Sequence, residues 1–496
     1  MFNVIHVSPV SVSFEADDER PYYATEAYDV YVDGVFHSRE ERNVFSVFGL
    51  KPDTGYEFRI RDQVIKARTL PVNRVFDVLE HGVVADGKTL NTGKIQALLD
   101  QCDHDLIVFR KGDYYTGPLM VRSDTCLYFE KDAQLIGSNV RSDYPVIPAY
   151  NEDHSAVNAS WEGEPNDSFM SLITSFDSEN IMIVGEGTLN GNADQADWWV
   201  DHRTRRGAWR GNNVFVNRCR NVAFVGLNII NSPSWNLHPF YSDDLDFIDL
   251  TLRSIPTSPN TDGFDPESCR RMRLLGTRIF VGDDCVAIKS GKKIMADEFY
   301  RPTEDLVIRN CFMGDGHGGV VFGSESSCGI RNVDVSKCIF KNTDRGLRIK
   351  TKRGRGDKAV IENINFDNIL MDGVMSCLVV NMYYYLSHEG YDDYADSKDF
   401  RPVSDMTPHV GTFLFKNLKC LNTKVCAGYF YGLPESKIDK IILKDIEVTF
   451  DKGFRDHVAP AMIYGCEKLN NASFCFYNVS QVETDNVSVE GQPFNV

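Results

Sequence analysis

The sequence predicts an all-β protein: a small β-sandwich over residues 1–72, then a right-handed parallel β-helix (a solenoid) over residues 73–496. Three observations lead there. The first seventy or so residues carry short runs of period-two alternation separated by turn residues. Beyond residue 180, apolar strands of about three to five residues recur roughly every 24–40 residues, each beside Asn, Asp or Gly. No long helical period follows Cys102.

In the first unit the alternating runs are Val10–Phe14, Tyr28–Val32, Val44–Phe48 and Tyr56–Ile60. Asp33-Gly34 and Pro52-Asp-Thr-Gly55 supply turns between them. The segment from Tyr28 to Gly34, with Leu50-Lys-Pro-Asp-Thr-Gly-Tyr56, resembles a fibronectin type III module, without that module's usual early tryptophan. A link near Thr69-Leu-Pro71 ends this unit. Asp86–Thr92 then leads into a helix over Gly93–Cys102, whose apolar Ile95, Leu98 and Leu99 suit it to cap the end of a larger β structure. The recurring strands follow, among them Asn180-Ile-Met-Ile-Val, Asn221-Val-Ala-Phe-Val, Met272-Arg-Leu-Leu, Val333-Asp-Val, Phe413-Leu-Phe and Ile441-Ile-Leu. One coil cannot bury its own apolar face, so stacking of coils must make the core. The spaced leucines of a leucine-rich repeat are missing.

Composition narrows the function. A net charge of −18 argues against non-specific nucleic-acid binding, and a polyanionic partner would need a local basic patch. The run Arg345, Arg348, Lys350, Lys352, Arg353, Arg355 offers one, its outer members reading as solvated surface. No apolar stretch approaches 18 residues and no secretory leader is visible, so neither a membrane partner nor export is expected; the cytoplasm is the expected location. The 13 cysteines are odd in number, scattered and without a CxxC pair, which favours reduced thiols, with Cys285, Cys311 and Cys338 acting as small apolar residues. No His/Cys cluster suggests a metal, and no cofactor is expected.

Chemistry concentrates in four short segments: Asn260-Thr261-Asp262, Gly282-Asp283-Asp284, Gly316-His317-Gly318 and Arg348-Ile349-Lys350. Each falls near a coil edge, roughly one period after the last. Coils stack about 4.8 Å apart, so the four segments would form one patch of three carboxylates, a histidine and two cations. Glycoside hydrolysis needs such a set: a protonated carboxyl for the leaving oxygen and an ionised one for water or sugar. Crowding raises at least one carboxylate pKa, and the cations can pair with an acidic sugar. Neighbouring strand residues face opposite ways, so Asp283 and Asp284 share a cleft only if the strand ends or bulges at Gly282–Asp284. Tyr384, in the run Tyr383-Tyr384-Tyr385, reads equally as core packing or as a sugar platform.

Asn-Thr-Asp, Gly-Asp-Asp, Gly-His-Gly and Arg-Ile-Lys, in this order, resemble the signature of glycoside hydrolase family 28, the polygalacturonases. Asn231-Ser-Pro-Ser-Trp235, Asp283–Gly291 and Thr89-Leu-Asn-Thr92 add to the resemblance, which runs from about Val75 to the C-terminus. It implies a parallel β-helix and single-displacement hydrolysis with inversion. Asp283 would be the general acid, Asp262 and Asp284 would hold and deprotonate water, and His317 would tune the acid and contact the sugar. Arg348 and Lys350 would bind the galacturonate carboxylate; apart from the resemblance, Asn260, Lys289 and Tyr384 are further candidates for binding an acidic polysaccharide or oligogalacturonide. The rhamnogalacturonan-cleaving branch tends to lose the second Asp and the Arg-Ile-Lys, both present here. Endo-acting members usually carry Gln where this chain has Gly282, and often Asn where it has Lys289, so the resemblance is to the exo-acting bacterial branch. The rival expectations are a rhamnogalacturonan or other pectin-side-chain hydrolase, a calcium-dependent pectate lyase, and a β-helical sugar-binding protein without turnover.

Overall fold

The computed structural model describes residues 1–496. At the N-terminus two antiparallel sheets face each other. One holds Phe2–Val7, Val12–Ala16 and Val44–Val47; the other orders Val35–Arg42, Tyr23–Val32, Gly55–Ile60 and Gln63–Arg68. Val12, Phe14, Val30, Phe45, Phe58 and Ile60 fill the space between them, alternate residues of each strand pointing inward. Asp33 and Gly34 take φ of 48° and 78°, the hairpin geometry that short Asp-Gly loops supply. The strand expected at Val10–Phe14 starts at Val12, because Ser8 N–H donates to the Ser11 carbonyl at 2.9 Å and closes a turn first. Val35–Arg42 and Gln63–Arg68 escaped the sequence reading: their charged, largely exposed residues blur the alternation.

From Val75 the chain winds into parallel coils, with the right-handed crossover such connections take. Two stacks of strands form two faces and fuse into long strands from Ile330–Lys341 onward. Equivalent residues lie one above another: Ile183, Phe224, Phe247, Leu274, Ile308 and Val335 are successive partners in register. All are buried, so each coil covers the apolar face of the one before. The polar residues flanking each strand have a specific task. Asn180, Asn221, Asp244, Asp305, Asn332 and Asn363 hold φ between 55° and 59° at coil corners, a conformation that Asn and Asp tolerate best after glycine. Their side chains also stack: Asn221 donates to Asn180 at 2.8 Å and Asn332 to Asp305 at 2.9 Å.

The helix Thr92–Leu99 buries Ile95, Leu98 and Leu99 against the first coil. The sandwich docks on the outer side of the first stack. Val10 and Val44 pack with Val184, Val225, Ile248 and Leu275, and the Glu15 carboxylate accepts two bonds from Arg309 at 2.7 Å and one from Asn310 at 2.8 Å. All thirteen thiols are free, with Cys285, Cys311 and Cys338 fully buried. No helix is long and apolar enough to cross a membrane.

The third stack is left clear of the sandwich. It runs through Leu237–Phe240, Phe264, Val286–Ile288, Val320–Phe322, Arg345–Lys350, Ser376–Asn381, Cys426–Tyr431 and Ala472–Tyr477. Leu347 and Ile349 point into the core, so Arg348 and Lys350 point out.

Candidate active site

The Arg278–Phe280 strand stops before Gly282 and the next begins at Val286, so Asp283 and Asp284 lie on a bend between strands. This is the strand break that two neighbouring carboxylates in one cleft demand. Gly282 is needed there for closeness: a Cβ would sit 2.5 Å from the Ser258 carbonyl oxygen and 2.8 Å from that of Ile255. Gly316 is held similarly, its Cβ position only 2.7 Å from the Asp283 carbonyl oxygen. Backbone bonds then tie adjacent coils together, Gly263 N–H to the Asp284 carbonyl and His317 N–H to that of Asp283, each at 3.0 Å.

The result is a compact acidic centre. One carboxylate oxygen from each of Asp262, Asp283 and Asp284 lies within 4.8 Å of the other two. Asp262 and Asp284 are buried, and each has an Oδ1 without a hydrogen-bond partner. His317 Nδ1 meets Asp283 Oδ1 at 3.2 Å, its ring half-exposed. Lys350 Nζ donates to Asp284 Oδ2 at 2.7 Å, and Arg348 Nη1 lies 3.8 Å from Asp284 Oδ1. Both cations therefore contact an acid as well as facing the groove. The ring of Tyr384 is 5.8 Å from Lys350 Nζ, placing it beside the basic pair, whereas its neighbour Tyr383 is fully buried in the core.

The other two predicted residues stand on the wall. Lys289 Nζ is enclosed between Asp265 at 3.4 Å and Glu325 at 3.6 Å, 4.6 Å from the centre of the Trp235 ring. Asn260 accepts a 2.7 Å bond from Arg210, which also donates to the carbonyls of Pro233 and Pro259 and so pins the Asn-Thr-Asp turn. Arg210, Asp265 and Glu325 escaped the sequence reading, as did Trp161 and Trp209, which stack at 4.8 Å and 4°. Arg210 and both tryptophans belong to irregular segments with no period to mark them. The reading of the outer basic residues as solvated surface needs correction. Arg353 is buried and doubly bonded to Glu435 at 2.5 and 3.0 Å, and Arg345 donates to the backbone carbonyls of Asp344, Ala459 and Pro460.

Electrostatics separates the three acids. Burial, with Asp265, Asp283 and Asp284 close by, pushes Asp262 well above the ordinary carboxylate value. Burial also pushes Asp283 upward, but the His317 hydrogen bond and charge, with Lys350 and Lys289 beyond, hold it below that value. His317 is raised in turn, chiefly by its bond to Asp283. Despite burial, Lys289, Lys350 and Lys292 hold Glu325 down to about 2. Burial and the His317 contact thus set Asp262 and Asp283 apart in opposite directions, the kind of separation that acid–base chemistry on a glycosidic bond uses. Protons in so close a group belong to the set rather than to one member.

A sequence model of Glycosyl hydrolases family 28 matches residues 151–398. A probable polygalacturonase from Vitis vinifera is 32% identical over 56% of this chain and 57% of its own. This chain thus spans little more than half of that relative's length. An exo-poly-alpha-D-galacturonosidase from Dickeya chrysanthemi is 25% identical over 73% of this chain and 68% of its own. The crystal structure of a hyperthermoactive exopolygalacturonase from Thermotoga maritima superposes with a TM-score of 0.68 at 25% identity, covering 85% of this chain and 93% of that one. The matched segment contains Asp262, Asp283, Asp284, His317, Arg348 and Lys350. The chain belongs to glycosyl hydrolases family 28, carried on a right-handed parallel β-helix.

Proposed function

We propose that the protein hydrolyses α-1,4-galacturonosidic bonds of galacturonate chains and releases product from one chain end. The observation that carries this reading is the acidic trio flanked by Arg348 and Lys350: acids for the bond, cations for the sugar's carboxylate. Asp283 would protonate the leaving oxygen, and Asp262 and Asp284 would orient and deprotonate water. In the free site the proton favours Asp262. A bound uronate that excludes water and places negative charge beside Asp283 would raise the Asp283 pKa towards that of an acid.

End-wise action is supported by what fills the groove ahead of the trio. The hairpin Ser160–Trp161 and Glu164–Pro165 reaches over the coils: Ser160 Oγ donates to Glu267 at 3.2 Å, and the Gly163 carbonyl accepts from Lys292 N–H at 2.8 Å. Trp161 is inserted between Trp209 and Trp235, 5.4 Å and 9° from the latter. Three stacked indoles in that position would close the groove to a polymer. Chromatography of early products from polygalacturonate and defined oligogalacturonides tests this. One small product from the first time points is expected; a ladder of intermediate lengths refutes end-wise action.

A second stereochemical reading has a specific observation behind it. The trio's oxygens approach within 4.8 Å, nearer than the roughly 6.5–9.5 Å usual between carboxyl groups of inverting enzymes. Retention through a glycosyl-enzyme would suit that spacing, whereas a water gripped by Asp262 and Asp284 together suits inversion. Proton NMR of the first-formed sugar decides. The β-anomer is expected from an α-linked substrate, and an initial α-anomer overturns inversion.

A further inference from the structure

The third stack carries a second covering, on the far side of Arg348 from the tryptophans. Residues pointing outward from its later coils should line an open groove, since Arg348 is in register with Val379 and Tyr429, and Lys350 with Asn381. Val379, Asn381 and Tyr429 are instead only 1–2% exposed. What roofs them is the segment between the strands Ile438–Phe450 and Ala472–Tyr477, which runs back along the groove across three coils. Its anchors are specific. Arg345 donates to the carbonyls of Pro460 at 2.8 Å and Ala459 at 3.0 Å. Asn381 Nδ2 and the Tyr385 N–H both donate to the Met462 carbonyl at 3.0 Å. Ala461 and Ile463 are buried in the main core, and the Met462 sulfur rests against the Arg348 guanidinium.

We infer that this strap ends the groove just past Arg348, so that the enzyme is selective for short acidic oligosaccharides over polymer. The uncovered groove spans the coils of Asp262, Asp284, His317 and Lys350, three coil intervals of about 4.8 Å or roughly 14 Å, which is room for about two or three pyranose units. Between the tryptophan stack and the strap, a longer chain must turn out of the groove after a few sugars, and the strain of that turn is subtracted from the binding energy available to the transition state. An arginine whose Nε and Nη2 both donate to backbone carbonyls of one loop is a positioning device: Arg345 holds Met462 on Arg348 and does not itself touch the bond.

This inference rests on the proposed galacturonosidase reading, and one assay separates the two. Initial-rate kcat/KM would be measured per chain end on di- and trigalacturonate and on polygalacturonate, for the wild type and for the Met462→Gly and Arg345→Gln variants. Hydrogen exchange of residues 451–471 in each variant would show whether the strap has loosened. For the wild type, kcat/KM should fall at least tenfold from trimer to polymer. Met462→Gly, which keeps Arg345 and its two bonds to the strap, should narrow that ratio to threefold or less, and Arg345→Gln should do so with faster exchange in the strap. Equal rates per chain end on trimer and polymer in the wild type overturn the strap's role alone, as does an unchanged ratio in a variant whose strap has loosened. Absence of turnover on every galacturonide overturns the proposed function as well.

Discussion

An Asp283→Asn variant is expected to lose about 10²–10⁴-fold in kcat with little change in the affinity for oligogalacturonide. The amide keeps the shape of the carboxyl but cannot deliver a proton to the leaving oxygen, while Arg348 and Lys350 remain to hold the sugar. A second readout is built into the pair. His317 owes its raised pKa first to the bond with Asp283, so in the variant its titration, followed by NMR, should fall back towards about 6.5. A kcat within threefold of wild type would remove Asp283 from the acid role. A His317 pKa that stays put would show that the 3.2 Å contact is not what sets it.

Asp262→Asn should separate stability from activity. Asp262 is buried among three other carboxylates, so its ionised form is disfavoured in the folded chain and its pKa is raised. A carboxyl whose folded pKa lies above its unfolded value, about 3.9, contributes its full stability below that pH. The contribution is lost as pH rises until the folded pKa is passed. Asparagine carries no such penalty. The variant's thermal midpoint should therefore equal that of the wild type below about pH 4 and exceed it by a few degrees at neutral pH. Activity should fall about 10²-fold or more, because one of the two groups that orient water is gone. Calorimetry across pH 3–8 checks the sign; a midpoint that drops at neutral pH would mean that Asp262 is held as a stabilised carboxylate and that the proton lies elsewhere in the trio.

The assembly of the trio was legible because a solenoid turns sequence period into vertical stacking. Asp262, Asp284 and His317 are about one period apart, and the backbone bonds from Gly263 to Asp284 and from His317 to Asp283 are what that period predicts. The break at Gly282–Asp284 was legible for a simpler reason: alternation forbids neighbouring side chains from sharing a face of a strand. Arg210, Trp161 and Met462 were not legible. They lie on long excursions between coils, where no repeat constrains the path, and each meets the groove at residues far away in sequence. Arg345 and Arg353 were misread because a run of basic residues along a strand and the turn after it looks solvated until a loop from elsewhere covers it.

The sequence alone determined the coil architecture, the order of the coils, and which acidic and basic side chains they bring to one face, since those follow from local period and alternation. Only the tertiary structure decided how far that face is open, and in which direction each acid's pKa is moved. Both depend on burial and on distances between segments remote in the chain: the Trp161 hairpin at one end, the Met462 strap at the other, and the neighbours that push Asp262 up while His317 pulls Asp283 down.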